Sequence, residues 1–126
     1  MKDAVILVPN YGMGKADEKL QLLLVNKYFD LLLQNESLPA AICFYTEGVK
    51  LVCDGSPVVG HLRTLESKNV RLIICSTCLN YFELTEKVRV GIVGGMGDIL
   101  EAQMRAEKVI TISLILISED EPWILT

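Results

Sequence analysis

Short, unbroken apolar runs alternate along this chain with longer stretches of helical periodicity. Ala4-Val5-Ile6-Leu7-Val8 is the first run, and its continuous β-branched character is that of a strand covered on both faces. Ala40 to Tyr45, Val70 to Cys75, Val88 to Val93 and Lys108 to Ile112 repeat the pattern, the last extending as far as Ile117. Between the first two runs, Leu20, Leu23, Leu24, Tyr28 and Leu31 recur at helical spacing. They predict a helix from Ala16 to Leu33 with a wide apolar stripe, begun near Asp17 and Glu18, whose charges suit a helix N-terminus. A short helix carries Val49, Leu51 and Val52, and the next carries Val58, Val59, Leu62 and Leu65. Ser56 and Pro57 suit the N-cap and first position of that second helix. Leu79 to Leu84 and Asp98 to Glu107 complete the set.

Strands alternating with helices predict an α/β fold, a three-layer α/β/α sandwich around a mostly parallel five-stranded sheet with right-handed crossovers. The domain occupies residues 1–112. Residues 113–126 form a C-terminal extension, whose Leu114-Ile115-Leu116-Ile117 run and Trp123 suit an added edge strand or an oligomer contact.

With 51% apolar and 22% charged residues the chain is neither disordered nor a solvated linker. At 126 residues it needs no disulfide or metal to fold. A net charge of −4 and the lack of any Lys/Arg block argue against nucleic acid. The longest apolar stretch, Val109 to Ile117, is interrupted by Thr111 and Ser113 and is roughly half of a membrane span. The N-terminal apolar run is too short for a signal-peptide core, so a cytoplasmic location is expected. There, four cysteines do not form a disulfide framework.

In sheets of this kind ligands bind where loops leave the carboxyl ends of the strands. Three unusual segments fall there: Tyr11 to Lys15, Cys75 to Cys78 and Gly94 to Gly97. Cys75-Ser76-Thr77-Cys78 joins a strand to a helix, so at least one sulfur meets backbone N–H groups and a helix dipole that favour the thiolate. A thiol three residues away can attack a disulfide or persulfide formed on the first. Two buried, inert cysteines are the plain alternative. A thioredoxin-like reading is weak, because the motif follows the third strand and none of Pro9, Pro39, Pro57 or Pro122 takes the matching place. Zinc would need two more ligands from Cys43, Cys53 or His61. Cys43 lies mid-strand and Cys53 reads as packing, while His61 reads as a surface side chain. No metal and no cofactor are expected.

Gly12-Met13-Gly14 and Gly94-Gly95-Met96-Gly97 each follow a strand and precede a helix, but neither completes a dinucleotide fingerprint or a P-loop. Tight turning is their plain use. A limited role remains, in which Gly12, Met13, Gly14, Gly95 and Met96 wall a pocket around Cys75 with Ser76 and Thr77 and offer N–H groups to a small anionic group. Tyr11, Tyr45, Tyr81 and Phe82 suit its rim, with Tyr81 or Phe82 capping the sulfur.

The chain resembles the DsrE/DsrF-like sulfur-carrier superfamily, and within it the YedF-like domains of selenium metabolism. The resemblance rests on Gly12 to Leu20, Phe44 to Leu51, Gly55 to Val58 and Ile74 to Phe82, and covers Met1 to about Ile112. It implies a five-stranded parallel sheet, assembly into homo-oligomers (dimers, trimers or hexamers) and sulfur relay through a cysteine persulfide. Single-cysteine relatives carry sulfur at the position of Cys75. YedF-like domains have both cysteines, which makes Cys75 the attacking thiolate and Cys78 the second thiol. They also follow a SirA/TusA-like domain, whereas this sequence begins with the DsrE-like strand. The implied partners are sulfur donor and acceptor proteins, such as a SirA/TusA-like protein or a cysteine desulfurase. A non-catalytic binding or assembly module and a dithiol–disulfide oxidoreductase stand as the alternative functions.

Overall fold

The computed structural model describes residues 3–112. The continuous apolar runs become parallel strands: β1 (Ala4–Val8), β2 (Ala41–Phe44), β3 (Arg71–Cys75), β4 (Ile92–Gly94) and β5 (Lys108–Thr111), in the spatial order β4-β3-β2-β1-β5. In register, Ile6 lies beside Ile42 and Ile110, and Ile42 beside Leu72. Every residue of β1 and β2 is buried, as a strand covered on both faces requires. The edge strands depart from that rule, with Ile92, Val93 and Val109 exposed.

Among the described residues four helices cover the sheet: α1 (Glu18–Gln34), α2 (Val59–Ser67), α3 (Ser76–Tyr81) and α4 (Met96–Arg105). Right-handed crossovers put α1 and α2 on one face and α4, which returns across the sheet from β4 to β5, on the other. That is the expected α/β/α layering. A 3-10 helix over Thr46–Val52 links β2 to α2, and another spans Thr85–Lys87.

The start of α1 falls where the acidic residues place it, since the Asp17 carboxylate accepts a hydrogen bond from the Leu20 N–H at 2.9 Å. Its buried face is not the expected one. Val25, Phe29 and Leu32 meet the sheet, while Leu20, Leu23, Leu24 and Leu31 are 40–52% exposed. The helix is apolar on two sides, and periodicity alone does not say which side the sheet covers.

Three boundaries also shift. The run from Val88 divides: Val88 bridges antiparallel to Cys53, and the Arg89 N–H donates to the Val52 carbonyl. Gly91 at φ +90° then turns the chain into β4, where a Cβ would lie 2.9 Å from Ile74 Cδ1. The Ser56 Oγ accepts from the Val58 N–H, but α2 begins only at Val59. Helix α3 starts directly at Ser76, three residues before the predicted helix. The proposed role of residues 113–126 lies outside the described residues.

Candidate functional site

Cys75 closes β3 in register with Gly94 and is also the N-cap of α3. Its side chain turns inward and the residue is 1% exposed. Cys78, in the first turn of α3, is half-buried, and both thiols are free. The structure thus brings the two cysteines together but exposes the second rather than the one taken as the attacking thiolate.

The partner that holds Cys78 comes from the far side of β2. The Thr46 N–H donates to the Cys78 Sγ at 3.1 Å. Thr46 adopts φ +47°, a conformation that a β-branched residue rarely takes and that costs on the order of 1–3 kcal/mol. Its hydroxyl secures it, with the Tyr45 and Pro9 carbonyls both in reach as acceptors of its one proton. Two residues on, a Cβ at Gly48 would collide with the Val8 carbonyl oxygen. Only glycine lets the 3-10 helix seat against the end of β1, and that seating aims the Thr46 N–H at the sulfur.

Burial pushes the Cys78 thiol above the ordinary range. The Thr46 N–H works against this by stabilising the thiolate, while the hydrogen bond and charge of the neighbouring Cys75 raise it further. The expected depression by a helix N-terminus is therefore not the net result at Cys78. A helix of six residues does not outweigh desolvation and a like charge.

A cleft of about 490 Å³ is lined by Tyr11, Glu18, Lys50, Asp54, Phe82 and Leu84, with Cys53 in its wall; neither Cys75 nor Cys78 lines it. It is bordered by a second hollow reaching Gln21 and Glu47, which shares Tyr11, Glu18 and Lys50. Phe82 lies one turn beyond Cys78, its N–H bonded to the Cys78 carbonyl. Lys50 pairs with Glu47 and sets its ammonium 4.6 Å from the Phe82 ring centroid. Burial, then the Glu18 carboxylate, raise the Tyr11 hydroxyl pKa, with Lys50 opposing, so the phenol stays a proton donor. Of the four aromatic candidates for the rim, Tyr11 and Phe82 line the cleft, Tyr45 packs partly buried against the core, and Tyr81 is 81% exposed and packs edge-on against the Phe82 ring at 5.2 Å.

A sequence profile of the DsrE/DsrF-like family matches residues 2–112. The chain belongs to the DsrE/DsrF-like family. Its fold is shared with the ychN protein of E. coli at 21% identity and a TM-score of 0.66, covering 88% of this chain and 99% of that one. A protein of unknown function from Methanobacterium thermoautotrophicum, MTH1491, aligns at 19% identity and a TM-score of 0.63, over 86% and 96% of the two chains. BT1422 from Bacteroides thetaiotaomicron, also of unknown function, aligns at 15% identity and 0.58, over 87% and 95%. At such identities the likeness is one of fold. No curated protein matches the sequence.

The remaining candidates of this DsrE/DsrF-like chain fall as follows. The Gly12-Met13-Gly14 loop folds back on α1, with the Met13 N–H donating to the Gln21 carbonyl at 2.9 Å. At the other glycine loop the N–H of Gly95 donates to the Asp98 carboxylate at 2.9 Å, so the chain's own acid takes the place expected for a bound anion. Met96 is exposed at the start of α4. Ser76 and Thr77 form the first turn of α3. Cys43 is fully buried in β2, and Cys53 is buried with its thiol donating to the Val49 carbonyl at 3.3 Å. His61 sits on α2, and among the described residues no three His, Cys, Asp or Glu side chains group to hold a metal. No helix among them is long and apolar enough to cross a membrane.

Sequence reasoning missed Glu18, Lys50, Asp54 and Leu84 in the cleft. Only the Glu47/Lys50 spacing, one turn apart on a short helix, signals part of it.

Proposed function

We propose that the protein is a sulfur carrier, with Cys78 receiving the sulfur and Cys75 as the second thiol of the relay. The observation that carries this reading is the adjacent pair of free thiols at the β3–α3 junction, one buried and one open to a partner, in a DsrE/DsrF-like chain. The Cys78 thiolate attacks the terminal sulfur of a donor persulfide, and the donor leaves as its thiolate. An acceptor thiolate then takes the terminal sulfur and releases Cys78. In the alternative discharge, the Cys75 thiolate attacks the Cys78 Sγ, forming the disulfide and expelling hydrosulfide, and an external dithiol restores both thiols.

Donor and acceptor are proteins such as a cysteine desulfurase and a SirA/TusA-like carrier, in a reducing compartment such as the cytoplasm. The two cysteines support a YedF-like role, in which selenium follows the same steps. Two exposed apolar patches support a homo-oligomer: the leucine stripe of α1, and Ile92, Val93, Met96, Leu100 and Met104 at the β4 edge and on α4.

Intact mass after exposure to a cysteine desulfurase and cysteine tests the relay. The expected result is a gain of one sulfur that Cys75→Ala retains and Cys78→Ala loses. Loss in Cys75→Ala alone would return the carrier role to Cys75. No gain in wild type, with loss of two hydrogens under mild oxidant, would replace the relay with dithiol–disulfide exchange.

A further inference from the structure

The peptide group between Tyr45 and Thr46 is held at both of its polar ends. Its carbonyl accepts the Gly48 N–H at 2.9 Å, and its N–H donates to the Cys78 Sγ at 3.1 Å. The Tyr45 N–H donates to the Val8 carbonyl at 3.3 Å, which fastens the turn to the end of β1. The Thr46 hydroxyl, within reach of the Pro9 carbonyl, supports a φ of +47° that the β-branched side chain opposes. Apart from the Thr46 N–H itself, these contacts do not involve the sulfur. The donor is therefore aimed before any charge develops on Cys78.

This placement treats the two discharges of a Cys78 persulfide differently. When an outside nucleophile attacks the terminal sulfur, the S–S bond breaks and its electron pair returns to the Cys78 Sγ, against the Thr46 N–H. When the Cys75 thiolate attacks the Cys78 Sγ instead, a bond forms between the two cysteines and the pair leaves with the terminal sulfur as hydrosulfide. Cys78 then ends as a neutral disulfide sulfur, to which the N–H gives little. We propose that Thr46 is a positioning residue that directs the terminal sulfur to an outside acceptor rather than to hydrosulfide, by holding its N–H where Cys78 must carry charge. The inference rests on the relay reading and adds which of its two discharges the fold favours.

Cyanide is the probe, because its carbon takes the terminal sulfur alone and leaves as thiocyanate. The full chain is loaded by a cysteine desulfurase and cysteine, separated from both and exposed to cyanide. Thiocyanate is then compared with the Cys75–Cys78 disulfide, read by mass as a loss of two hydrogens. The ratio of thiocyanate to disulfide is expected to fall about tenfold in Thr46→Val, which keeps the shape and loses the hydroxyl. Thr46→Gly keeps the N–H and adopts positive φ freely, so it should recover most of the ratio. The pH inflection of Cys78 alkylation should follow, higher in Thr46→Val and near wild type in Thr46→Gly. Circular dichroism checks folding, and Gly48→Ala, which displaces the same turn, should lower the ratio too. An unchanged ratio in Thr46→Val and Gly48→Ala, with loading intact, would overturn the proposal and leave the relay standing. A ratio as low in Thr46→Gly as in Thr46→Val would also overturn it, by assigning the effect to the side chain rather than the N–H. No sulfur gain in wild type, from a desulfurase active on another acceptor, would overturn the relay and this inference together.

Discussion

The backbone N–H of Thr46 donates to the Cys78 sulfur at 3.1 Å, across 32 residues of sequence. The contact makes thiol chemistry depend on how the 3-10 helix after β2 seats against the end of β1. It is one of two opposed influences on Cys78, favouring the thiolate while burial and Cys75 favour the thiol.

Removing Cys75 should therefore make Cys78 easier to ionise. Cys75 raises the Cys78 pKa by hydrogen bond and by charge, so Cys75→Ala lowers it while the Thr46 contact persists. Iodoacetamide rates across pH on single-cysteine-reactive samples read this directly. The inflection for Cys78 is expected above the ordinary thiol value in wild type and lower in Cys75→Ala. An inflection that stays put or rises would show that Cys75 does not hold the proton on Cys78.

Gly48 and Gly60 predict opposite outcomes for the same substitution. At Gly48 a new Cβ meets the Val8 carbonyl oxygen, part of a sheet strand that does not yield, so Gly48→Ala should cost about 1–3 kcal/mol. It should also move the Thr46 N–H off Cys78 and raise that thiol further. Gly60, inside α2, has nothing within 4 Å, and Gly60→Ala should stabilise by about 0.4–1 kcal/mol. Urea denaturation of the two variants compares them, and equal effects would contradict the seating of the 3-10 helix.

Strands β1 to β3 were legible because an unbroken apolar run has one stable use, burial on both faces. The start of α1 was legible because Asp17 is a local cap. The cysteine loop stood out because two thiols at a strand-to-helix junction form a local pattern. What escaped depends on tertiary placement. Val25, Phe29 and Leu32 won the sheet over the leucine stripe because the fold, not the period, selects the face. Glu18 and Lys50 read as ordinary helix and surface charges until the fold sets both beside Tyr11. The raised Cys78 pKa follows first from burial, and the Thr46 N–H opposes it; neither is visible in Cys75-Ser76-Thr77-Cys78 itself.

Cys43 should limit stability in alkali. Desolvation in β2 raises its pKa from 9.0 to about 11, with Arg71 opposing. Raised in the folded state, this thiol contributes its full stability below pH 9, where it is protonated in both states. That contribution is lost as pH rises toward 11, where only the unfolded chain ionises freely, a loss on the order of 2–3 kcal/mol. Under reducing conditions, unfolding free energy should fall more steeply between pH 9 and 11 for wild type than for Cys43→Val, which keeps the volume and removes the proton. Parallel curves would assign the alkaline loss to other groups.

The leucine stripe of α1 should be where copies of the chain meet. Leu20, Leu23, Leu24 and Leu31 share one side of the helix, turned away from Val25, Phe29 and Leu32, and leave large apolar area in water. Fully burying one such side chain is worth roughly 1.5–3 kcal/mol, and these are already half-covered, so each gains about 1 kcal/mol in an interface. Replacing two of them with lysine, as in Leu24→Lys with Leu31→Lys, removes that gain and puts like charges on the contact. Sedimentation equilibrium should show wild type as an oligomer and the double variant shifted toward monomer, with the circular dichroism spectrum unchanged. The thiol chemistry of Cys78, held by Thr46 from within the same chain, should survive that dissociation. A wild-type monomer would refute self-association, and an oligomer indifferent to the two lysines would place the contact elsewhere, with the exposed Met96, Leu100 and Met104 of α4 as the next surface to alter.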